Sequence, residues 1–167
     1  MLRRNNKLDE DAPMNHPIQL LPIQLLDDET LLRKTKSLAI EERKITLEIL
    51  QHLEEVSRRR LFMKRGFSSL SEYLTRELGY SAASAQRRIS ALKLLAEIPE
   101  VEEKIKKGTI SLSNAEQAQK FFRTEAKLNK AFSLDEKKRI LENLANKSSR
   151  EAKMELIQHS SQLILSF

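Results

Sequence analysis

A chain of 167 residues holds about one ordinary domain, and its composition is lopsided: three glycines, four prolines, no cysteine, and 30 Lys+Arg against 24 Asp+Glu for a formal charge of +6. So little glycine and proline excludes collagen-like, low-complexity and loop-rich all-β chains and favours helices dense in Leu, Glu, Lys and Ala. The lack of cysteine excludes disulfide scaffolds, thiolate catalysis, Cys-ligated zinc and iron–sulfur clusters. No apolar run approaches the roughly 18 residues of a membrane span, and no signal-peptide core opens the chain. The expectation is a soluble, cytoplasmic, all-α protein that needs no cofactor and meets no membrane.

Residues 1–27 read as a flexible arm. They carry Arg3, Arg4, an acidic patch at Asp9–Asp11, and a five-residue phrase, Pro17-Ile18-Gln19-Leu20-Leu21, that recurs at once as Pro22-Ile23-Gln24-Leu25-Leu26. Proline at the start of each copy interrupts any long helix. Residues 28–167 read as a single helical domain.

A short helix at 28–37 precedes a long amphipathic helix at about 40–64, whose Ile45, Ile49, Leu53 and Val56 fall at four- and three-residue steps and predict one buried stripe. Gly66 ends it. Further helices are expected at about 70–78, 82–97, 100–107, 113–129, 134–146 and 149–163, giving about seven main helices in all. Four starts carry a serine with a glutamate three residues on, the pattern of a capping box: Ser69 with Glu72, Ser113 with Glu116, Ser133 with Glu136 and Ser148 with Glu151. Pro99 suits a first turn, and Gly79 and Gly108 read as helix ends.

The charge is not spread evenly. Residues 57–95 hold nine bases and two acids, a net +7 that exceeds the excess of the whole chain. A concentrated field of this kind predicts a polyanionic partner. Inside the same stretch lies the spacing of a helix-turn-helix at about 70–97: a short helix, Gly79 where positive φ costs little, a three-residue turn, and Ser81 to cap a second helix. Leu74 and Leu78 on the first helix, with Ala85, Ile89 and Leu92 on the second, are expected to close the angle.

The opposite face of the second helix shows Ala83, Gln86, Arg87 and Ser90, with Ser81 at its cap and Ser84 to the side. Small, basic and amide side chains there suit the major groove of double-stranded DNA, where Arg pairs with guanine and Gln with adenine. Arg58, Arg59, Arg60, Lys64, Arg65, Arg76 and Lys93 are the expected phosphate contacts. Two details strain the motif. Arg88 sits at the edge of the buried stripe and must snorkel or pair with a carboxylate, and Leu94 lies on the outward face, which implies a covering element near the end of that helix.

From Gly66 onward several phrases occur in order: Gly66-Phe67-Ser68-Ser69-Leu70-Ser71-Glu72-Tyr73-Leu74, Leu78-Gly79-Tyr80-Ser81, Arg87-Arg88-Ile89, Ile98-Pro99-Glu100-Val101 and Gly108-Thr109-Ile110-Ser111-Leu112-Ser113-Asn114-Ala115, with Asn146-Lys147-Ser148-Ser149-Arg150-Glu151-Ala152 later. Over about residues 31–155 this resembles the helical N-terminal region found ahead of the nuclease module in a group of bacterial HNH endonucleases. More distantly it is similar to the DNA-binding region of ParB-type plasmid-partition proteins. There Ser81–Leu95 corresponds to the recognition helix, and Gly108–Ala115 opens a supporting helix. The present chain differs by about one extra helical turn before Pro99.

An HNH site needs a general-base histidine, an asparagine that orients it and a further metal ligand in a ββα hairpin. The histidines here, His16, His52 and His159, stand apart with no strand pattern around them. The resemblance therefore implies a nucleoid-associated DNA-binding half without its cutting half, not itself an enzyme, with a separate nuclease polypeptide as one partner. No residue stands out as catalytic, cofactor-binding or metal-ligating. Adjacent pairs such as Glu54 with Glu55 do not face each other across a substrate, and no Gly-rich phosphate loop exists.

A second reading stays open: a helical interaction or oligomerisation module without direct DNA contact, in which the helix at 40–64 and the repeated phrase dock a partner or a second copy. A homodimer is the default for helix-turn-helix readers.

Overall fold

The computed structural model describes residues 22–160, and among them every regular element is helical. The first copy of the repeated phrase, Pro17–Leu21, lies outside the described residues. The second opens a short 3-10 turn, Ile23–Leu25, with both of those side chains exposed. Eight α-helices follow: α1 (Asp28–Arg58), α2 (Leu61–Lys64), α3 (Leu70–Arg76), α4 (Ala82–Glu97), α5 (Val101–Lys107), α6 (Leu112–Lys127), α7 (Leu134–Asn143) and α8 (Ser149–Gln158). None of the helices among the described residues is long and apolar enough to cross a membrane. The chain divides into two units at a boundary between Thr35 and Lys36. In the first, the Asp27 carboxylate accepts from the Thr30 amide and so caps the start of α1. The second carries everything described below.

The expected helices at 28–37 and 40–64 are one continuous helix that stops early. Arg60 takes a left-handed conformation (φ 52°), and the chain restarts as the single turn of α2 before Gly66 (φ 84°). The break lets Leu61 and Phe62 become half-buried, and the Phe67 amide donates back to the Phe62 carbonyl. The buried face of α1 also differs from the expected stripe. Leu47, Leu50 and Leu53 are inside, whereas Ile45 is 51% exposed and Val56 only half-buried. This helix is apolar over a wide arc, and the body of the unit takes its leucine side.

The capping residues explain most of the later boundaries. Ser133 and Ser148 form complete capping boxes with Glu136 and Glu151. Ser69 accepts from the Glu72 amide, but the Glu72 carboxylate reaches one residue further back, to the Ser68 amide and hydroxyl. Ser113 does not cap α6; Ser111 does, accepting from the Asn114 amide. Starting the helix there places buried Ile110 just before the cap and buried Ala115 at the fourth helical position, the arrangement of a hydrophobic staple. Gly108 ends α5 at φ 78°, a conformation that favours glycine, and a Cβ there would lie 3.0 Å from the Arg43 side chain, which would have to give way.

Two hydrophobic clusters hold the unit. The larger draws on α1 and on α4 through α8, with Leu94, Val101, Leu141 and Leu144 fully buried. The smaller is Leu53, Leu74 and Ala85, flanked by Ile49, Leu70, Tyr73, Tyr80, Ile89 and Leu92. Helix α4 contributes to both, and its most extensive partner is α6. The turn before α6 and its first turn are tied to the segment before α8 by polar contacts. Buried Asn114 donates to the Lys147 carbonyl (2.7 Å), and the Asn146 amide donates to the Thr109 carbonyl (2.7 Å).

Candidate nucleic-acid interface

Helices α3 and α4 pack against each other across the Gly79 turn, around the smaller cluster. Gly79 has φ 70°, Ser81 caps α4 by accepting from the Ser84 amide, and Leu74 and Ala85 are fully buried against each other's helices. Leu78 is not part of that contact. Helix α3 ends at Arg76, leaving Leu78 42% exposed, and Tyr80 takes its place at the cluster, its amide donating to the Leu74 carbonyl (3.0 Å). The turn is locked by Arg88. Its guanidinium stacks 4.0 Å from the centre of the Tyr80 ring and donates to the Ser84 hydroxyl (2.5 Å) and carbonyl (3.3 Å), which answers the question of its partner without a carboxylate.

The outward residues of α4 fall into two groups. Ser81, Ala83 and Gln86 are exposed and Arg87 is half-buried, all in the first two turns. Ser90, expected beside them, is instead 6% exposed and buried, because α6 covers α4 from its middle onward. The Leu94 side chain is fully buried in the same contact, so the covering element that its outward position demanded is α6. Ser84 is half-buried and engaged by Arg88. Gln86 donates one N–H to the Ser90 hydroxyl (3.1 Å), which leaves its carbonyl oxygen and second N–H unused. Ser81, Ala83, Gln86 and Arg87 therefore remain available at the surface.

The cations also separate. Arg58 grips the Glu55 carboxylate with two groups, at 2.5 and 2.6 Å, and Arg59 bonds the same carboxylate. The hydrogen bonds from Arg58, then those from Arg59, hold Glu55 down to about 2, far below an ordinary carboxyl. Arg65 pairs with Glu77 (2.6 Å), joining the end of α2 to the end of α3, and Arg76 pairs with Glu72 (3.0 Å). Four of the seven expected phosphate contacts are thus engaged by three glutamates. Glu55 lies just before the stretch with the +7 balance, so charge counting in that window overstates the free field. Among the described residues Arg60, Lys64, Arg87 and Lys93 have no ion pair.

A polar groove of about 230 Å³ runs between α4 and α6, lined on one side by Gln86, Ser90 and Lys93 and on the other by Glu116, Gln119, Lys120 and Arg123. Lys120 and Arg123 are exposed and unpaired cations that charge counting along the chain passes over, since nearby acids offset them in sequence. Their signal is positional. They stand one helical turn apart on α6, on the face away from buried Ala118 and Phe122. Phe121, Phe122 and Phe132 pack ring to ring at 5.5–5.9 Å, Phe122 buried in the core and the other two half-buried against it.

Comparison with family models, with curated proteins and with solved structures gave no match.

Proposed function

We propose that the protein binds double-stranded DNA, with the first two turns of α4 entering the major groove. The observation that carries the reading is the division of α4 itself. Its N-terminal surface, with Ser81, Ala83, Gln86 and Arg87, is open, while its second half is packed under α6 and its turn is locked by Arg88 on Tyr80. A recognition helix presents its N-terminal residues to base edges in this way. Gln86 keeps the carbonyl and N–H pair that adenine requires, and Arg87 carries the donors that suit guanine. Lys93 stands beside the open surface with Lys120 and Arg123 across the groove, and Arg60 and Lys64 add two further unpaired cations. The resemblance to the region ahead of an HNH nuclease module agrees with this reading, and with it a nucleoid location and a separate nuclease polypeptide as partner.

The test is a gel shift on duplex DNA titrated with salt. If the five cations Lys93, Lys120, Arg123, Arg60 and Lys64 engage phosphates, the log–log slope approaches about −4.5, a loss of roughly five-hundredfold between 50 and 200 mM salt. Replacing Gln86 and Arg87 with Ala narrows the gap between preferred and random duplexes. Lys93→Ala with Lys120→Ala weakens both alike and lowers the slope by about 2. A flat salt response, or no shift at micromolar protein in 50 mM salt, overturns the proposal.

A further inference from the structure

The side of α1 that the body leaves uncovered carries a pattern of its own. Leu38 is 66% exposed, Ile45 is half exposed, Glu42 and His52 are exposed, and Ile49 and Val56 are half-buried. At 100° per residue these six positions lie within about 40° of one line along the helix. Ile45, Ile49, His52 and Val56 line an open apolar groove of about 510 Å³ whose far wall is Tyr73 of α3.

The spacing of the six positions, four, three, four, three and four residues, reads the same in both directions. The chemistry is symmetric as well. Reversing the helix about its centre sets Leu38 opposite Val56, Ile45 opposite Ile49, and Glu42 opposite His52. Such self-complementarity is what an isologous two-fold contact requires, because each pair then occurs twice. A one-sided partner needs no such palindrome. His52 Nδ1 already donates to the Glu48 carbonyl (2.8 Å) on its own helix, which leaves Nε2 for a second partner, and it is in the imidazolium form that Nε2 donates to a carboxylate.

We propose that this face binds a second copy of the chain, the two α1 helices running antiparallel about a two-fold axis, with Ile45 and Ile49 of both copies at the centre and Glu42 facing His52 across the axis on either side. The paired length, residues 38–56, is about 27 Å. Glu41 and Glu48 line one edge of the face and carry like charge in both copies, which keeps the dimer modest and dependent on concentration. The inference stands on α1 alone and does not depend on DNA binding by α4.

Sedimentation equilibrium of the full chain without DNA tests it. The expected mass rises from 19.3 kDa towards twice that value as the protein is concentrated. Ile45→Glu places a charge at the centre and holds the chain monomeric, with an unchanged helical circular dichroism spectrum because the side chain is half exposed. His52→Glu sets Glu against Glu42 of the other copy and also gives monomer, and the double variant Glu42→Lys with His52→Glu restores the dimer. A monomer at every concentration overturns the proposal outright. A dimer indifferent to Ile45→Glu, or one that the double variant fails to restore, overturns this face or this register. Loss of DNA binding with the dimer intact speaks against the reading of α4 and leaves this one standing.

Discussion

Leu53, Leu74 and Ala85 make the inner layer between α3, α4 and α1, whereas sixteen buried residues from α1 and from α4 through α8 with their connecting turns make the larger cluster. The smaller layer is supplemented by polar devices: the Ser81 cap, the Arg88 stack on Tyr80, the Arg65–Glu77 pair and the Glu72 contacts to Ser68. The larger one has the greater apolar burial and polar ties as well: Asn114 donates to the Lys147 carbonyl, and the Lys104–Glu142, Lys137–Glu97 and Lys138–Glu100 pairs join α7 to α5, to the end of α4 and to the turn between them. Apolar area removed from water scales with the number of buried side chains, so the larger cluster supplies most of the stability of residues 36–167. Helix α4 belongs to both. Its second half is fixed by the deep core, while its first half lies in a region with the smaller apolar reserve, where local opening costs least.

The sharpest test of that division is at Leu94, fully buried in the larger cluster beneath α6. Leu94→Ala is expected to cost about 3–4 kcal/mol, read as a lowered urea midpoint with unchanged slope. Leu74→Ala, in the smaller layer, is expected to cost about 2–3 kcal/mol. Its signature is different. Amide exchange should quicken in α3 and the first turns of α4 while α6 and α7 keep their protection. Equal loss of protection throughout would mean that the two clusters melt as one.

The caps give a smaller contrast. Ser148→Ala removes a side-chain acceptor from the Glu151 amide and one half of a reciprocal box, and about 1 kcal/mol is expected. Ser113→Ala should stay within about 0.5 kcal/mol, since Ser111 carries the cap of α6. Thermal melts of the two variants decide between these positions directly.

How legible each region was in the sequence follows the same divide. Serine–glutamate pairs and positive-φ glycines act over three or four residues, so Ser133, Ser148, Gly79 and Gly108 revealed their roles in sequence, whereas Gly66 follows the separate turn of α2 and does not end the long helix. Ser111 and Ser113 are equally competent caps, and only the burial of Ile110 selects between them. Which side of α1 is buried was not legible either, because two apolar faces share one helix and the choice is made by elements distant in sequence. Arg60 breaks α1 with no glycine, proline or cap to announce it. At the candidate interface the Gly79 turn, the Ser81 cap and the open positions Ala83, Gln86 and Arg87 could be read in advance. The burial of Ser90, the arrival of Lys120 and Arg123 and the capture of Arg58 and Arg59 could not, since each depends on a residue outside the motif.

That capture yields the last and smallest expected effect. Glu55 holds two arginines, and its carboxyl is depressed from 4.5 to about 2 by their hydrogen bonds. A depressed carboxyl contributes its pairing above its unfolded value and loses it only as pH falls towards the folded one. Glu55 is therefore fully ionised from pH 5 to 8, and across that range Arg58 and Arg59 must exchange it for any phosphate they meet. An exposed pair of this kind is weak, so Glu55→Gln is expected to tighten duplex DNA binding by no more than about fivefold. The gain should be equal at pH 5.5 and pH 8, and the salt slope should steepen by up to about 2 as the two released guanidinium groups each take a phosphate. An unchanged slope would show that Arg58 and Arg59 stand away from the DNA. The phosphate contacts would then come from Lys93 and from α6, the side of α4 braced by the deep core.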